Sequence, residues 1–438
     1  MNRENMTESP AAPAPKPTPT VPPTSAPYSP RLADQDLQDA LRRAGGVLIT
    51  GPKACGKTET ARQIAQSTLQ ADTDPSLARQ LEILPDLALQ GATPRLIDEW
   101  QVYPILWDLS RHEIDRRREP GQFILTGSTA PGAGAAKHSG AGRFARLTMG
   151  TMTFLETGHS DATISLHELA KSAPGEEIAP HASRLTIPDI AQRLAFGGWP
   201  GNLGLTAKQA TENNRDYLET IAAVDIRVPD DTYRDPQRVK RLLVALARGV
   251  GTEVTTSVLA RDTDLSRDTV REYLDSLARI FVAQNQSAWR PHLRSRVPLR
   301  ETPKRHLADP ALAVAALHAD ADGLLGDLEF FGQAFESQVV HDLGFMSRQE
   351  VYHARGADGL EVDAVVEISG RTVLVEVKLG SSDATIDTAA THLQAFARRY
   401  LEAGNTRHAP VLVVVTGGGL SYTRPDGVHV VAFGNLGA

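Results

Sequence analysis

An α/β chain built around a parallel sheet is predicted by three observations. The apolar run Val47-Leu48-Ile49 passes directly into a glycine-spaced turn, Gly51 to Thr58, and then into helix-forming residues. A second apolar run, Leu96-Ile97, ends in the adjacent carboxylates Asp98 and Glu99, and a third, Phe123-Ile124-Leu125, ends in the hydroxyls of Thr126 and Ser128. Short, uniformly apolar strands belong to a sheet covered on both faces, because a strand with one wet face alternates apolar and polar residues.

The 438 residues are enough for two to four domains with real cores, and the 41% apolar and 23% charged shares are those of an ordinary globular protein. No apolar run reaches the length of a membrane helix and no apolar signal core opens the chain, so no membrane partner is expected and the cytoplasm is the expected compartment. Cys55 is the single cysteine, which excludes an intramolecular disulfide or a cysteine-ligated metal cluster. It reads either as a small filler in the Gly51–Thr58 turn or as a thiol activated by the helix end. A net charge of −7 argues against coating nucleic acid by bulk electrostatics.

Gly51-Pro52-Lys53-Ala54-Cys55-Gly56-Lys57-Thr58-Glu59 reads as a phosphate-binding loop, the Walker A signature. The two glycines let successive backbone N–H groups face a polyphosphate, and the helix starting near Lys57 adds its positive end. Lys57 is expected to reach the β- and γ-phosphates and Thr58 to ligate Mg²⁺. In the same scheme Asp98-Glu99 is the Walker B pair. Asp98 is expected to hold the Mg²⁺ water shell with Thr58, and Glu99 to polarise the water that attacks the γ-phosphate. Thr126 is a candidate γ-phosphate sensor; a plain strand-to-loop turn is the alternative. The glycine-rich stretch Gly132 to Gly142 predicts a flexible loop that could carry Arg143 to the transferring phosphoryl group, in the same subunit or a neighbour. Residues 30–160 are thus expected to form a P-loop NTPase core that binds ATP and Mg²⁺.

Residues 1–29, rich in Pro, Ala and Thr, predict a disordered tail. Residues 161–235 read as a helical lid or linker with a tight aromatic corner, Phe196-Gly197-Gly198-Trp199-Pro200. Within 236–308, Leu259 to Leu277 gives a helix-turn-helix capped by Ser266, with Val270, Tyr273, Leu274 and Leu277 inward and Ile280 to Ala283 as the first strand of a wing. Its outer face mixes Arg267, Arg271 and Arg279 with Asp268, Glu272 and Asp275. That favours packing or interaction over groove reading. Trp289 to His306 is basic, fit either for phosphates or for a solvated ribbon.

Residues 309–438 predict a second α/β block. Gly359 to Glu367 and Arg371 to Lys378 alternate as a hairpin, with period two placing Glu376 and Lys378 on one face and Asp363 on the partner strand. Two carboxylates that chelate Mg²⁺ and a lysine that orients water suit phosphodiester hydrolysis, with Glu336 as a fourth group. An ordinary salt bridge in a hairpin is the competing reading.

In order and spacing, Gly51–Thr60, Leu96–Gln101, Phe123–Ser128, His138–Arg143, Phe196–Pro200, Leu259–Leu277, Asp309-Pro310, Phe335-Glu336, Glu361–Asp363 and Glu376–Lys378 resemble the prokaryotic AAA-like P-loop ATPases. These carry a C-terminal domain of unknown function similar to the PD-(D/E)xK nucleases. The resemblance implies an ATPase core, a winged helix and a restriction-endonuclease-like C-terminal α/β domain. Two positions depart from the pattern. Val362, not proline, precedes Asp363, and Met149-Gly150-Thr151-Met152 offers no arginine, leaving Arg143 as the candidate. Three functions follow: an ATPase coupled to its C-terminal module, a metal-dependent DNA nuclease regulated by nucleotide, or a nucleotide-gated module that binds DNA or protein without cutting. A homo-oligomer is a further expected partner.

Overall fold

The computed structural model describes residues 28–128, 140–173, 176–228, 230–290, 302–356, 359–402 and 408–438. Nearly all of the expected tail, the glycine-rich stretch before Gly140, and Arg294, Arg296 and Arg300 lie outside the described residues.

The first domain opens with helix α1 (Leu32–Arg43), whose buried Leu37, Ala40 and Leu41 lie one helical turn apart. Strand β1 (Gly46–Thr50) is buried at every position. Helix α2 (Lys57–Arg62) follows the loop. Strand β2 (Ser67–Gln70) and helix α3 (Leu77–Ile83) lead to β3 (Arg95–Asp98), helix α4 (Ile105–Arg117), β4 (Phe123–Gly127) and β5 (Phe144–Thr148). The five strands run in the order β2-β3-β4-β1-β5, all parallel. Successive side chains of β1 serve opposite layers. Leu48 packs with Ile97, Phe123 and Leu125 beneath Trp107, whereas Val47 and Ile49 pack with Leu37, Leu96 and Ile124. A strand covered on both faces must be apolar throughout, which is what its sequence shows.

The segment expected to be a helical lid is divided between two bodies. Strand β6 (Ile164–Ser165), helix α5 (Leu166–Lys171) and strand β7 (His181–Ala182) join the C-terminal domain, since β7 extends its main sheet and β6 pairs with its last strand. Helices α6 (Ile187–Phe196) and α7 (Ala207–Ala223) follow, each opened by a threonine capping box.

Next come α8 (Pro236–Arg248), β8 (Thr252–Glu253), α9 (Thr256–Thr263), α10 (Arg267–Arg279), β9 (Ala283–Gln286) and β10 (Lys304–Leu307). The strands form an antiparallel sheet in the order β8-β10-β9. Ser266 Oγ accepts from Thr269 N at 3.0 Å, and Val270, Tyr273, Leu274 and Leu277 are buried, as their spacing predicts. The strand expected at Ile280 starts instead at Ala283, because Ile280 and Val282 are taken into the helical core while the chain turns at Phe281 (φ 59°). Helix α11 (Pro310–Ala316) packs on α6, α7 and α8, so Asp309-Pro310 belongs to this helical body and not to the C-terminal block.

Helix α12 (Ala321–Gly326) leads into the C-terminal domain: α13 (Leu328–Ser347), β11 (Val351–Arg355), β12 (Glu361–Ile368), β13 (Arg371–Lys378), α14 (Asp383–Glu402), β14 (Val411–Thr416), β15 (Leu420–Thr423), β16 (His429–Ala432) and β17 (Leu436–Gly437). Its sheet runs β11-β12-β13-β14-β16-β15-β7, with β13, β14 and β16 parallel and the flanking pairs antiparallel. Phe335, Val339 and Leu343 of α13 cover one face, against Val373, Val375 and Val413. Leu393 and Phe396 of α14 cover the other, against Val365, Leu374 and Val414.

Candidate functional site

The carboxyl ends of β1, β3 and β4 lie together because the strands are parallel and in step, Ile49 beside Thr126 and Ile97 beside Leu125. This is the edge at which open α/β sheets bind ligands. The loop that leaves β1 turns on Gly51 (φ 152°) and Gly56 (φ 102°), with Ala54 also left-handed (φ 59°). A Cβ on Gly51 would stand 2.1 Å from the Met149 carbonyl oxygen, so only glycine fits there. Lys57 is buried, its ammonium donating to the carbonyls of Gly51 at 3.0 Å and Pro52 at 2.8 Å.

A chain of hydrogen bonds ties the two halves of the site. Thr58 Oγ1 donates to Asp98 Oδ1 at 2.8 Å, the buried Thr126 hydroxyl donates to the same oxygen, and the Glu99 N–H reaches Thr126 Oγ1 at 3.4 Å. The Thr126 hydroxyl is thus held against Asp98, on the oxygen that also accepts from Thr58 of the loop. Glu99 sits at left-handed φ (51°), and its carboxylate accepts from the Gln101 side-chain amide. Of the expected loop residues, Pro52 and Cys55 are buried, Lys53 and Ala54 exposed, and Glu59 points outward to pair with Arg62 at 2.6 Å.

Arg143 is not part of this site within one subunit. Its carbonyl accepts from Gly46 N at the opposite end of β1, roughly 15 Å along the strand from the loop. Its guanidinium pairs with Asp115 at the end of α4. The expectation that it completes the ATP site in its own subunit is corrected, because Arg143 leads into β5 at the amino ends of the parallel strands.

Several residues at the loop were not recognised as functional from sequence. The aromatic corner, read as structural, lies against it: the Trp199 indole and the Tyr217 hydroxyl both donate to the Lys53 carbonyl at 3.3 Å. Asp309 fixes the corner by accepting from Gly198 N at 2.8 Å. The Lys53 ammonium pairs with the buried Asp225 at 2.7 Å. Behind the loop, the buried Arg31 donates to the carbonyls of Cys55 (2.6 Å) and Gly150 (3.0 Å) and pairs with Glu156. Glycines beside an aromatic, and the recurrent Asp-Pro, were the only signals; neither names a partner.

The second cluster lies at one end of the β12–β13 hairpin, in a cleft of about 760 Å³. The hairpin and α13 bring Glu336, Glu361, Asp363, Glu376 and Lys378 together. Lys378 Nζ lies 2.8 Å from Glu376 Oε1 and 3.9 Å from Asp363 Oδ2, and Asp363 Oδ2 also accepts from Val377 N. Burial, then the Asp363 charge, pushes the Glu376 carboxyl up to about 7, and the same two causes push Glu336 up to about 8. Lys304, arriving on β10, puts its ammonium 2.7 Å from Glu336 Oε1, 2.7 Å from Glu361 Oε1 and 3.6 Å from Asp363 Oδ1. Burial opposes its charge, but the three carboxylates outweigh that and hold it above the ordinary lysine range. Among the described residues no group of three or more His, Cys, Asp or Glu is arranged to hold a metal. As built, this cluster does not fit a resident metal; a lysine stands in it.

Three family models match separate stretches of the chain. A model of an AAA domain matches residues 44–158, one domain of unknown function (DUF8612) matches 187–323, and another (DUF4143) matches 331–436. Curated relatives include the uncharacterized proteins Rv2008c of Mycobacterium tuberculosis (strain ATCC 25618 / H37Rv) and Mb2031c of Mycobacterium bovis (strain ATCC BAA-935 / AF2122/97). Each is 28% identical over 365 residues, 80% of this chain and 74% of the relative. Among solved structures, the Walker-type ATPase PABY2304 of Pyrococcus abyssi gives a TM-score of 0.38 at 13% identity, over 65% of this chain and 94% of that one. AMPPCP-bound DnaA from Aquifex aeolicus gives 0.29 at 15% identity, over 58% and 89%. Among the described residues no helix is long and apolar enough to cross a membrane. With its parallel sheet, glycine-built loop and paired acidic strand end, the segment matched at residues 44–158 is an AAA-like P-loop ATPase domain.

Proposed function

We propose that the chain hydrolyses ATP with Mg²⁺ at the Gly51–Thr58 loop and passes the change of state to a winged helix and a nuclease-like C-terminal domain that acts on DNA. The single observation that supports it best is the Thr58–Asp98–Thr126 hydrogen-bond chain, which joins the loop to the acidic strand end with the donor set a hard cation needs. The Mg²⁺ ion, when bound, would neutralise charge on the β- and γ-phosphates. Thr58 and Asp98 are the residues that would hold it. The loop amides orient the phosphates. Lys57, now satisfied by two carbonyls, would exchange them for phosphate oxygens, and Glu99 would accept the proton of the attacking water while Gln101 keeps its carboxylate in place.

Two sets of contacts support the coupling. Trp199, Tyr217 and Asp225 of the helical body hold Lys53 of the loop, and Ile280 and Val282 close the same small cavity beside Ser128. The helix, strand, helix, helix, strand, strand order of residues 236–307 supports a winged helix. Its α10 face alternates signs, with Arg271 paired to Asp268, which favours a packing role over groove reading. A sheet flanked by α13 and α14, with Asp363, Glu376 and Lys378 at one hairpin end, supports the nuclease-like reading. Lys304 in that cluster favours a second reading, a module that binds without cutting.

The deciding experiment is ATP turnover with no polymer, with single- or double-stranded DNA, and with RNA. Lys57→Ala should abolish turnover and Glu99→Gln should keep ATP bound but uncleaved; turnover unchanged in Lys57→Ala would refute the site. Stimulation by DNA supports the DNA reading, and stimulation by RNA alone or by no polymer counts against it.

A further inference from the structure

The lysine in the C-terminal cluster comes from a different body of the protein than the acids around it. Glu336 lies on α13 and Glu361 and Asp363 on β12, whereas Lys304 is on β10, paired to Gln286 of β9 in the small antiparallel sheet. Its side chain is 4% exposed, and its ammonium is the nearest cation to both Glu336 and Glu361. The neighbouring strand is anchored at the same place, with the Gln286 side-chain amide donating to the Asp363 carbonyl at 2.8 Å. Within the cluster Glu376 Oε2 is buried and has no hydrogen-bond partner, although Glu376 Oε1 is paired to Lys378. The cluster therefore joins four carboxylates, one oxygen of them unfilled, to Lys378 of its own hairpin and to a second cation lent by the adjoining module.

We infer that Lys304 is the resident cation of the C-terminal acidic cluster, and that a divalent cation enters there only when the Lys304 ammonium has left. Enclosed carboxylates need a counter-charge, and removal of Lys304 takes the nearest cation from Glu336, Glu361 and Asp363 while Lys378 stays with Glu376, so their oxygens then suit a hard divalent ion such as Mg²⁺ or Mn²⁺. The body that carries Lys304 also touches the phosphate loop, so the lysine is placed to make metal access depend on how that body is seated. For the chemistry that would follow metal entry, the inference rests on the nuclease-like reading.

The test is Mn²⁺ binding to the full chain without nucleotide, followed by electron paramagnetic resonance, for wild type, Lys304→Met and Lys304→Met/Asp363→Asn. Lys304→Met is expected to bind one Mn²⁺ at least tenfold more tightly than wild type, and the added Asp363→Asn to abolish that gain. Wild type binding equally well through Asp363, or Lys304→Met showing no Asp363-dependent binding, overturns the inference. Should Lys304→Met fail to fold, as read by loss of ATP binding, Lys304→Gln serves in thermal melts. Mn²⁺ should then raise its melting temperature but not that of Lys304→Gln/Asp363→Asn, and equal shifts overturn the inference. Plasmid cleavage separates the two readings. Mn²⁺ binding by Lys304→Met without cleavage supports the inference while removing the nuclease, whereas Asp363-dependent cleavage by wild type as fast as by Lys304→Met supports the nuclease and overturns the inference.

Discussion

The Lys53 ammonium stands 2.7 Å from the carboxylate of Asp225, 172 residues further along the chain. One partner is on the phosphate loop and the other at the end of α7, so the pair measures how firmly the helical body is seated on the ATPase domain. Lys53 is half exposed and Asp225 is buried. Their coupling should be that of a screened pair, about 0.5–1 kcal/mol. A double-mutant cycle of Lys53→Ala and Asp225→Ala in chemical unfolding checks this; strictly additive effects would deny the link.

Thr126→Val should slow turnover more than it weakens ATP binding. The hydroxyl donates to Asp98 and accepts from the Glu99 N–H, so its loss frees both acids without touching the loop. A fall in kcat of about tenfold to a hundredfold with KM little changed is expected, in line with the loss of a positioning group. A rise in KM alone would place the hydroxyl on the nucleotide instead.

Gly51→Ala should cost both stability and nucleotide. The residue holds φ 152° and a methyl there would meet the Met149 backbone oxygen at 2.1 Å, which no rotamer change relieves. Strain of about 1–3 kcal/mol is expected, with at least a tenfold loss in ATP affinity. Calorimetry of ATP binding beside thermal unfolding checks both; wild-type binding would show that the loop is built differently.

Arg143→Ala should leave ATP turnover within about twofold of wild type in dilute protein, since within a subunit the side chain faces Asp115 at the far end of the sheet. Turnover across a range of protein concentrations is the measurement. A large loss at high dilution would return Arg143 to the site of its own subunit.

Relative to Glu336→Gln, the wild type should lose stability as pH rises from about 5 to 8. Burial and Asp363 hold the Glu336 carboxyl near 8 in the folded chain, far above its ordinary value. The folded state therefore keeps a proton that the unfolded chain releases first, and each step up in pH favours unfolding until the folded carboxyl also ionises. Melting temperatures of wild type and Glu336→Gln between pH 5 and 8 check it; parallel curves would contradict it.

Much of the nucleotide site was legible because its parts are local. The glycines must have four residues between them for the loop to turn, Lys57 and Thr58 must open the helix, and an acid must end an apolar strand. Each condition leaves a mark within a few residues of the sequence. The buried strands were legible for the same reason, since a strand covered on both faces must be apolar at every position. Arg143 was misplaced because a glycine-rich approach is compatible with either end of a strand, and only the direction of β5 chooses between them.

From sequence alone, then, the chain determines a phosphate loop, its acidic counterpart, a capped helix-turn-helix and a hairpin that presents Asp363, Glu376 and Lys378. Tertiary structure alone decided that the Trp199 corner and Asp225 grip the loop, that β7 joins a sheet whose other strands begin at residue 351 while β6 pairs with β17, and that Lys304 fills the acidic cluster. These contacts join residues from about 30 to more than 250 positions apart. Hydrophobic period and turn chemistry act over a few residues and encode the elements, whereas a buried charge and its partner meet only once those elements have packed.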